Sequence, residues 1–363
     1  MFRLYTQFLL FIITPLSVWA TDLERFFLER ETMKDEMILI DAFSQIFRSF
    51  FAIRQLLTNS RGEPTNALYV FTRLLLKIDA DYPSDCGALL FDCGKPAFRT
   101  ELNPEYKANR PPMPDALRQQ LPVIREMAEA FGWPLLEEPD YEADDLIGAF
   151  ALHTPRNVRI VSSDKDLGQL ISDRITMLVP APQNGFSVRD AAACQEKFAV
   201  PPELLVDYLA IIGDASDNIP GINGLGPKGA AELLNTFGSI DSWVDTIDET
   251  FAQSKYGKKL AGNAPLLKKN QNLIRLRTEL PERFSDPEKH LIRRQPDWAK
   301  IRTLCERMEL KSILKDLPQE SIPAEQEVEP DLFSFAAVPE AAPVAPPEEP
   351  GEAKEEMVQG LLF

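Results

Sequence analysis

Met37-Ile-Leu-Ile-Asp41 is a short apolar run that ends in an acid, and the chain repeats this pattern twice. The second run is Ala88 to Asp92 and the third is Val158 to Asp164, with helix-like stretches between them. Continuous apolar strands separated by helices predict an α/β fold whose mostly parallel sheet is covered on both faces. Open sheets of this kind bind ligands beyond the carboxyl ends of the strands, so Asp41, Asp92 and Asp164 should meet there.

The stretches between these runs predict helices over 67–78 and 115–131. Another helix should begin near Asp140, which is suited to be its N-cap, with acids in its first turn. An acidic first turn is favoured by the helix dipole and is by itself an ordinary feature. Its coincidence with three acids at strand ends favours a shared site instead.

Nine acids are candidates for one pocket, and seven of them fall in three tight groups between residues 142 and 217. The nine are Asp41, Asp92, Glu142, Asp144, Asp145, Asp164, Asp166, Asp214 and Asp217. Two carboxylates about 5 Å apart repel by roughly 3 kcal/mol at an effective dielectric constant near 20, so nine could not stay ionised together without cations. Mg²⁺ and Mn²⁺ take such oxygen ligands, and two divalent ions together are suited to phosphodiester hydrolysis.

Several other chemistries are disfavoured by what the sequence lacks. It has two histidines, which argues against a histidine-rich zinc site, a Ser-His-Asp triad and a histidine base. Its four cysteines form no Cys-x-x-Cys pair and are expected to be free thiols. No Gly-x-x-x-x-Gly-Lys-Ser/Thr loop is present, so a nucleotide-driven motor is not expected.

The formal net charge of −17 is unevenly distributed. Residues 318–363 hold eleven acids and one lysine, which leaves −7 for residues 1–317. The seven grouped acids nearly account for that remainder, so the rest of the body is close to neutral. A nucleic-acid partner is therefore not excluded, because local basic patches matter more than the total charge.

Basic residues and glycines provide two candidate contacts for nucleic acid. Arg99 leads into Tyr106-Lys107-Ala-Asn-Arg110, which combines cations with an aromatic ring and suits phosphate contact and base stacking, although a solvated loop is the alternative. Arg48 could contact phosphate or pair with an acid. The segment 221–231 has a helix-hairpin-helix pattern whose Gly221, Gly224, Gly226 and Lys228 would grip a duplex backbone, although it could be a simple helix connector.

Seven stretches together resemble the bacterial 5′-3′ exonuclease and flap endonuclease family, which includes the amino-terminal nuclease domain of DNA polymerase I. They are Leu39-Ile-Asp41, Ser60-Arg-Gly-Glu-Pro64, Leu90-Phe-Asp92, Tyr106-Lys-Ala-Asn-Arg110, Tyr141-Glu-Ala-Asp-Asp145, Ser163-Asp-Lys-Asp166 and Gly213-Asp-Ala-Ser-Asp-Asn-Ile-Pro-Gly221. All nine carboxylates of the family have an acid of the expected type here.

The resemblance implies a PIN-like or resolvase-like core followed by a helical helix-hairpin-helix (H3TH) subdomain. It implies two divalent cations on the nine acids and, often, K⁺ at the hairpin. Arg48, Tyr106, Lys107 and Arg110 would handle the 5′ strand and the scissile phosphate, with Lys107 and Arg110 catalytic. The resulting prediction is a stand-alone, monomeric, metal-dependent hydrolase that removes 5′ flaps, 5′ ends and RNA primers from DNA in replication and repair.

Two functional alternatives stay open. The chain could be a non-catalytic, structure-specific DNA-binding factor. The loss of a central carboxylate would have favoured this alternative, and none is lost. The chain could also be an RNA nuclease with a related metal site. The expected domains are an extension over 1–36, a catalytic α/β domain over 37–198, a helix-hairpin-helix domain over 199–317 and a disordered acidic tail over 318–363. Gln359, Leu362 and Phe363 at the end of that tail resemble a motif that docks into the bacterial sliding clamp, although a random apolar end is the alternative.

The amino terminus has two interpretations. Arg3 precedes an apolar run from Phe8 to Ala20 that resembles a secretory signal and is too short for a comfortable membrane span. Alternatively, translation begins later, because Met33 or Met37 would open directly into the first strand. We favour the late start and a cytoplasmic, nucleoid location, because the rest of the sequence is typical of an intracellular enzyme.

Overall fold

The computed structural model describes residues 35–181 and 185–318, and its centre is a six-stranded sheet with the order β3-β2-β1-β4-β5-β6. The strands are β1 (Glu36–Asp41), β2 (Cys86–Leu90), β3 (Leu135–Leu136), β4 (Asn157–Val161), β5 (Ile175–Ala181) and β6 (Gly185–Arg189). The first five are mutually parallel, and β6 runs antiparallel to β5. The predicted mostly parallel sheet is therefore confirmed.

The register brings the acids that end the apolar runs to one edge. Asp41 is level with Leu90 of β2, and Ile40 is level with Val161 of β4. The strands end earlier than the sequence predicts, since 91–92 and 162–164 lie beyond them. Asp92 and Asp164 therefore lie on loops just past the strand ends.

The strand order reverses beside β1, which is the reason that a crevice forms there. From β1 the chain moves outward through β2 to β3, and it then returns to add β4 on the opposite side of β1. Helices on the two sides of such a reversal diverge, and open sheets bind ligands in the crevice that this leaves. Asp41 ends β1 at this position.

Helices cover both faces of the sheet, as continuous apolar strands require. The helices that precede β4 in the chain are α1 (Ala42–Ala52), α2 (Asn66–Asp81), α3 (Ala97–Leu102), α4 (Asp115–Arg118), α5 (Leu121–Ala130) and α6 (Ala143–Leu152). Ile38 and Ile40 face α1, α2 and α5, whereas Met37 and Leu39 face α6 and the later helices. The two faces form two separate hydrophobic clusters.

The remaining helices follow the sheet in the chain. They are α7 (Ala191–Phe198), α8 (Leu205–Ile212), α9 (Pro227–Phe237), α10 (Ile247–Phe251), α11 (Gly257–Leu260), α12 (Ala264–Ile274), α13 (Pro287–His290), α14 (Trp298–Arg307) and α15 (Lys311–Asp316). Among the described residues, no helix is both long and apolar enough to cross a membrane. The amino-terminal run and the carboxyl-terminal motif of the sequence lie outside the described residues.

Two helix predictions are wrong in detail. The helix expected over 115–131 is two helices, and Pro122 lies in the first turn of the second one, where a residue needs no backbone donor. The N-cap of α6 is Glu142 rather than Asp140, which has a left-handed φ of 63°. Glu142 and Asp145 form a capping box, in which the side chain of each residue accepts a hydrogen bond from the backbone N–H of the other.

Candidate metal centre and nucleic-acid interface

Four carboxylates meet at the carboxyl edge of the sheet, and we call them the first cluster: Asp41, Asp92, Asp144 and Asp164. With Glu142, Lys107 and Arg110 they line a cavity of about 700 Å³. Asp41 accepts hydrogen bonds from the Ser44 backbone (3.1 Å) and the Ser162 hydroxyl (2.9 Å), and Asp92 accepts one from the Ala143 backbone at the start of α6 (2.8 Å). Their positions are thus fixed by helix starts and by a neighbouring strand end.

Charge repulsion dominates the first cluster. Burial and then the charge of Asp92 raise the pKa of Asp41 to about 7. Burial, followed by the charges of Asp41, Asp164 and Asp92, raises the pKa of Asp144 well above its usual value. Among the described residues, none of the four acids forms an ion pair with a protein cation, so no direct ion pair offsets their charges.

Three more acids form a second cluster: Asp166, Asp214 and Asp217. One ligand oxygen from each lies within 4.8 Å of the others. Asp166 donates its backbone N–H to Asp164 (2.9 Å), which joins the two clusters. Burial and then the charge of Asp164 raise the pKa of Asp166 to about 8, and its Oδ1 is buried without a hydrogen-bond partner.

The second cluster is held by a loop that only glycine allows. Asp214 and Ile219 exchange two backbone hydrogen bonds of 2.8 and 2.7 Å, which close the loop that contains Asp217. A Cβ added at Gly213 would lie 2.3 Å from the nitrogen of Gly221, and one at Gly221 would lie 2.2 Å from the Ile212 oxygen. A side chain at Gly221 would meet the protein backbone, so glycine is needed there for loop closure, and the predicted contact of Gly221 with DNA stays a prediction.

Asp145 and Arg99 also differ from their predicted roles. The Arg99 guanidinium is only 2% exposed and gives Asp145 two hydrogen bonds of 2.6 Å, so it cannot reach DNA in this conformation. Both Asp145 oxygens are used by Arg99 and by the backbone of Glu142 and Arg277, which leaves no free position for a metal. This pair therefore positions the site rather than acting as metal ligand and DNA contact.

The predicted basic segment, residues 106–110, contacts acids at the site through Lys107 and Arg110. Lys107 donates to Glu142 (2.6 Å), and Arg110 donates to Asp217 (2.6 Å). Burial alone would lower the pKa of Lys107, but the charges of Glu142 and then Asp217 raise it. Tyr106 is 3% exposed, and its hydroxyl donates to Glu142 (3.0 Å), so in this conformation the ring is not free to stack on a base.

The remaining predicted DNA contacts lie apart from this cavity. Arg48 donates to the Pro180 carbonyl (2.8 Å) and lines a different cavity on the far side of α1, so the structure does not bring it to the acids. Gly226 precedes α9 and has open space where a Cβ would be, which permits close approach of a ligand backbone. For Arg48, Gly224, Gly226 and Lys228, contact with DNA stays a prediction.

Sequence reasoning missed two cations at the site. Lys165 lies 2.8 Å from Asp214, and Lys95 lines the first cavity and donates to the Tyr106 carbonyl (2.9 Å). Burial acts to raise the pKa of Asp214, but hydrogen bonds from Lys165 and Ser216 hold it below its usual value. The position of Lys165 between the candidate ligands Asp164 and Asp166 could have identified this lysine from the sequence.

The donor set fits divalent cations. Its candidate ligands are carboxylate oxygens, which is the preference of Mg²⁺ and Mn²⁺. A bound cation would give the buried Asp166 oxygen a partner and would offset the mutual repulsion of the acids in the first cluster. Asp41, Asp92, Asp144 and Asp164 would hold one ion, and Asp166, Asp214 and Asp217 a second.

The family models agree with this architecture. The model described as 5′-3′ exonuclease, N-terminal resolvase-like domain, matches residues 36–199. The model described as 5′-3′ exonuclease, C-terminal SAM fold, matches residues 200–298. Among solved structures, the flap endonuclease of bacteriophage T5 in a complex with DNA and metal ions has a TM-score of 0.56 at 21% identity, covering 76% of this chain and 99% of that one. The catalytic core of Rad2 in complex with DNA has a TM-score of 0.56 at 16% identity and covers 80% of this chain and 94% of that one.

Curated relatives are more similar in sequence. The thermostable DNA polymerase I of Thermus aquaticus is 36% identical over 286 residues, which are 78% of this chain and 33% of that protein. The chain thus spans about a third of the length of the polymerases it matches. A 5′-3′ exonuclease of Aquifex aeolicus is 35% identical over 284 residues, covering 77% of this chain and 94% of the relative. With both family models matched and this relative covered almost throughout, the chain belongs to the 5′-3′ exonuclease family.

Proposed function

We propose that this chain is a metal-dependent 5′ nuclease that hydrolyses DNA phosphodiesters at the base of 5′ flaps and at the 5′ ends of duplexes, including RNA-primed ends. The observation that carries the proposal is the pair of carboxylate clusters beneath a basic segment. The Aquifex aeolicus relative is named a 5′-3′ exonuclease, and the T5 neighbour is a flap endonuclease with DNA and metal ions. Replication and repair are the setting in which such ends arise.

The two clusters would hold the cations, and the chain's own residues would orient the substrate. Divalent ions, when bound, supply an activated water and neutralise charge on the leaving oxygen. Lys107 and Arg110 lie at the rim of the same site, where their charges would neutralise a phosphate in the transition state. Both now pair with acids, so an entering phosphate has to compete with Glu142 and Asp217 for them.

The first experiment substitutes Asp144→Asn and measures cleavage of a 5′-flap DNA with Mg²⁺. The charges of Asp41, Asp164 and Asp92 oppose the negative charge of Asp144, and its replacement by an amide would remove one ligand without changing volume. We expect a loss of at least about 100-fold, the scale on which removal of one electrostatic stabiliser acts. Asp173→Asn, at an exposed position away from the cavity, is the matched control. Retained Mg²⁺-dependent cleavage by the Asp144 variant would refute the proposal.

Substrate choice separates the remaining candidates. Wild-type protein is given 5′-flap DNA, blunt duplex DNA and single-stranded RNA, each with Mg²⁺ or EDTA. Cleavage of the RNA alone would favour the RNA nuclease, and tight DNA binding without cleavage would favour the non-catalytic factor. The support for an enzyme is that no position of the nine has lost its acid.

Further partners belong to the same proposal. Gln359, Leu362 and Phe363, outside the described residues, would dock into a bacterial sliding clamp. Deletion of 359–363 should abolish capture by the clamp and leave cleavage of short oligonucleotides unchanged; unchanged capture would reject this part. A monomeric state, a nucleoid location and K⁺ at the glycine hairpin are proposed on the family resemblance alone.

A further inference from the structure

Lys95 is a cation of the first cavity that is not paired with an acid. The cavity is lined by five acids and by three cations, which are Lys95, Lys107 and Arg110. Lys107 and Arg110 each form an ion pair of 2.6 Å with an acid of the site. Among the ion pairs of the described residues, none includes Lys95, whose ammonium donates to the neutral Tyr106 carbonyl (2.9 Å). Its positive charge therefore has no direct counter-charge.

The absence of an ion pair decides how easily a phosphate can reach Lys95. The Lys107 ammonium and the Glu142 carboxylate are both buried, so a phosphate that takes Lys107 leaves a buried acid without its cation. Lys95 is exposed, and in the described structure its ammonium gives one of its three donors to the Tyr106 carbonyl. Two donors are thus available to phosphate oxygens, and no ion pair has to be broken first.

The loop that presents Lys95 is fixed on both sides of this residue. Before it, the Asp92 carboxylate accepts the Ala143 N–H (2.8 Å), and Gly94 has a left-handed φ of 91° that lets the chain turn. After it, Pro96 is buried and is the N-cap residue of α3. The backbone is therefore already ordered, and a ligand contact from Lys95 has to order only its side chain.

The basic segment does not depend on Lys95 for its position. Asn218 donates to the Glu105 carbonyl (2.9 Å), and the Lys107 N–H donates to the Asp217 carbonyl (3.1 Å). These contacts hold the segment from the loop of the second cluster. One hydrogen bond from an exposed lysine to a neutral carbonyl adds little to them. An anchoring role therefore does not explain why a charged side chain lies in this cavity.

We propose that Lys95 is a substrate-binding residue, which donates to an oxygen of the backbone phosphate that enters the first cavity. The inference rests on the proposed function and adds a residue to it. Because Lys107 and Arg110 are paired with acids, Lys95 offers a positive charge that an entering phosphate can use without competing for it. A lysine binds phosphate as a point charge and reads no base, so the contact should serve every flap sequence equally.

The test measures binding of a 5′-flap duplex to the full chain in Ca²⁺ by fluorescence anisotropy, over a series of salt concentrations. Lys95→Gln removes the charge and keeps a polar side chain that can still donate a hydrogen bond. We expect binding to weaken about five- to tenfold near 0.1 M salt, and the slope of log Kd against log salt to become shallower by about one unit. Lys95→Arg keeps the charge and should keep the slope.

Lys300→Gln is the matched control, since Lys300 pairs with Glu126 (3.7 Å) and does not line the first cavity. It removes the same charge and should keep the wild-type affinity and slope. An unchanged slope of Lys95→Gln would overturn the proposal. Wild-type binding and Mg²⁺-dependent flap cleavage are measured first. If the wild type does neither, the proposed function fails, whereas an active wild type with an unchanged Lys95→Gln variant rejects this inference alone.

Trypsin cleavage after Lys107, measured without DNA, separates a phosphate contact from a positioning role. If Lys95 contacts phosphate, Lys95→Gln should be cut at the wild-type rate, because the basic segment keeps its other contacts. Faster cutting would overturn the proposal whatever the salt slope, because Lys95 would then act by holding the segment that contains Lys107 and Arg110.

Discussion

At the scale of single residues, Arg99 organises the site without being able to touch a substrate. Its guanidinium donates to Asp145 through two bonds of 2.6 Å and to Glu142 (2.8 Å), and its Nε donates to the Leu273 carbonyl (3.1 Å). Burial alone would lower the pKa of Arg99, but hydrogen bonds and charges of the two acids raise it. The arginine thus pairs with two acids and fixes the first turn of α6, on which Asp144 is placed.

Arg99→Ala should destabilise the protein by about 3–5 kcal/mol, because it leaves two buried carboxylates without their cation. The free energy of unfolding is measured by urea denaturation. Arg118→Ala is the control, since its pair with Asp115 is exposed and should contribute less than about 1 kcal/mol. Equal effects of the two substitutions would contradict the structural role of Arg99.

The division of labour between Asp144 and Asp145 could not be predicted from the sequence. Successive residues on a helix point about 100° apart, so one faces the cavity and the other faces the protein. Which one does so depends on Arg99, which is 46 residues away in the chain. The nine acids could be grouped from strand ends and motif spacing, but long-range partners decide which of them keep free oxygens.

At the scale of elements, the basic segment is hydrogen-bonded to the loop that contains Asp214 and Asp217 of the second cluster. Asn218 donates to the Glu105 carbonyl (2.9 Å) and accepts from Asn109 (3.1 Å). The Lys107 N–H donates to the Asp217 carbonyl (3.1 Å). Lys107 and Asn218 both have left-handed backbones, with φ values of 54° and 58°. The contacts hold Lys107 and Arg110 over the acids at the cost of two unfavourable conformations.

Two substitutions of Asn218 distinguish the contribution of its side-chain hydrogen bonds from that of its left-handed backbone conformation. Asn218→Gly keeps the left-handed conformation and loses the amide contacts, whereas Asn218→Ala loses both and should be less stable by a further ~1 kcal/mol. Both variants should be cut faster by trypsin after Lys107, because the segment is released from the loop. Unchanged cleavage in both would show that Asn218 does not hold the segment. Stability is compared by urea denaturation.

Elements were predicted better than their ends. Continuous apolar runs located β1, β2 and β4 because burial on both faces leaves no polar alternation. The residues just after β2 and β4 were assigned to the strands, since an apolar residue such as Phe91 does not reveal where the ladder of hydrogen bonds stops. β6 was not predicted, because its exposed Val188 and buried Arg189 invert the usual pattern of an edge strand.

At the scale of the whole molecule, the chain returns to the sheet after its helical half. The Gly87 N–H donates to the Leu291 carbonyl (2.7 Å), and the Arg294 N–H donates to the Gly132 carbonyl (2.9 Å). Beyond this crossing, α14 buries Ile301 and Leu304 against the cluster that contains α2 and α5. The two halves therefore share one hydrophobic cluster and should unfold together.

Ile301→Ala should lower the free energy of unfolding by about 2–5 kcal/mol, the usual cost of a cavity at a fully buried isoleucine. Denaturation followed separately by far-ultraviolet circular dichroism and by tryptophan fluorescence should give one shared midpoint. Two separate transitions would mean that α14 does not couple the halves. Ile292→Ala, at a site 65% exposed, is the control and should change little.

Divalent cations should stabilise the whole molecule, because the second cluster is assembled from both halves of the chain. Asp166 follows β4, whereas Asp214 and Asp217 follow α8. A cation bound only by the folded state adds RT ln(1 + [L]/Kd), which is about 2.7 kcal/mol at a hundredfold excess over Kd. We expect Mg²⁺ to raise the melting temperature above that in NaCl of equal ionic strength. Asp217→Asn should lose part of this increase, and Asp173→Asn should keep all of it. An identical increase in both variants would mean that the cation does not bind at the second cluster.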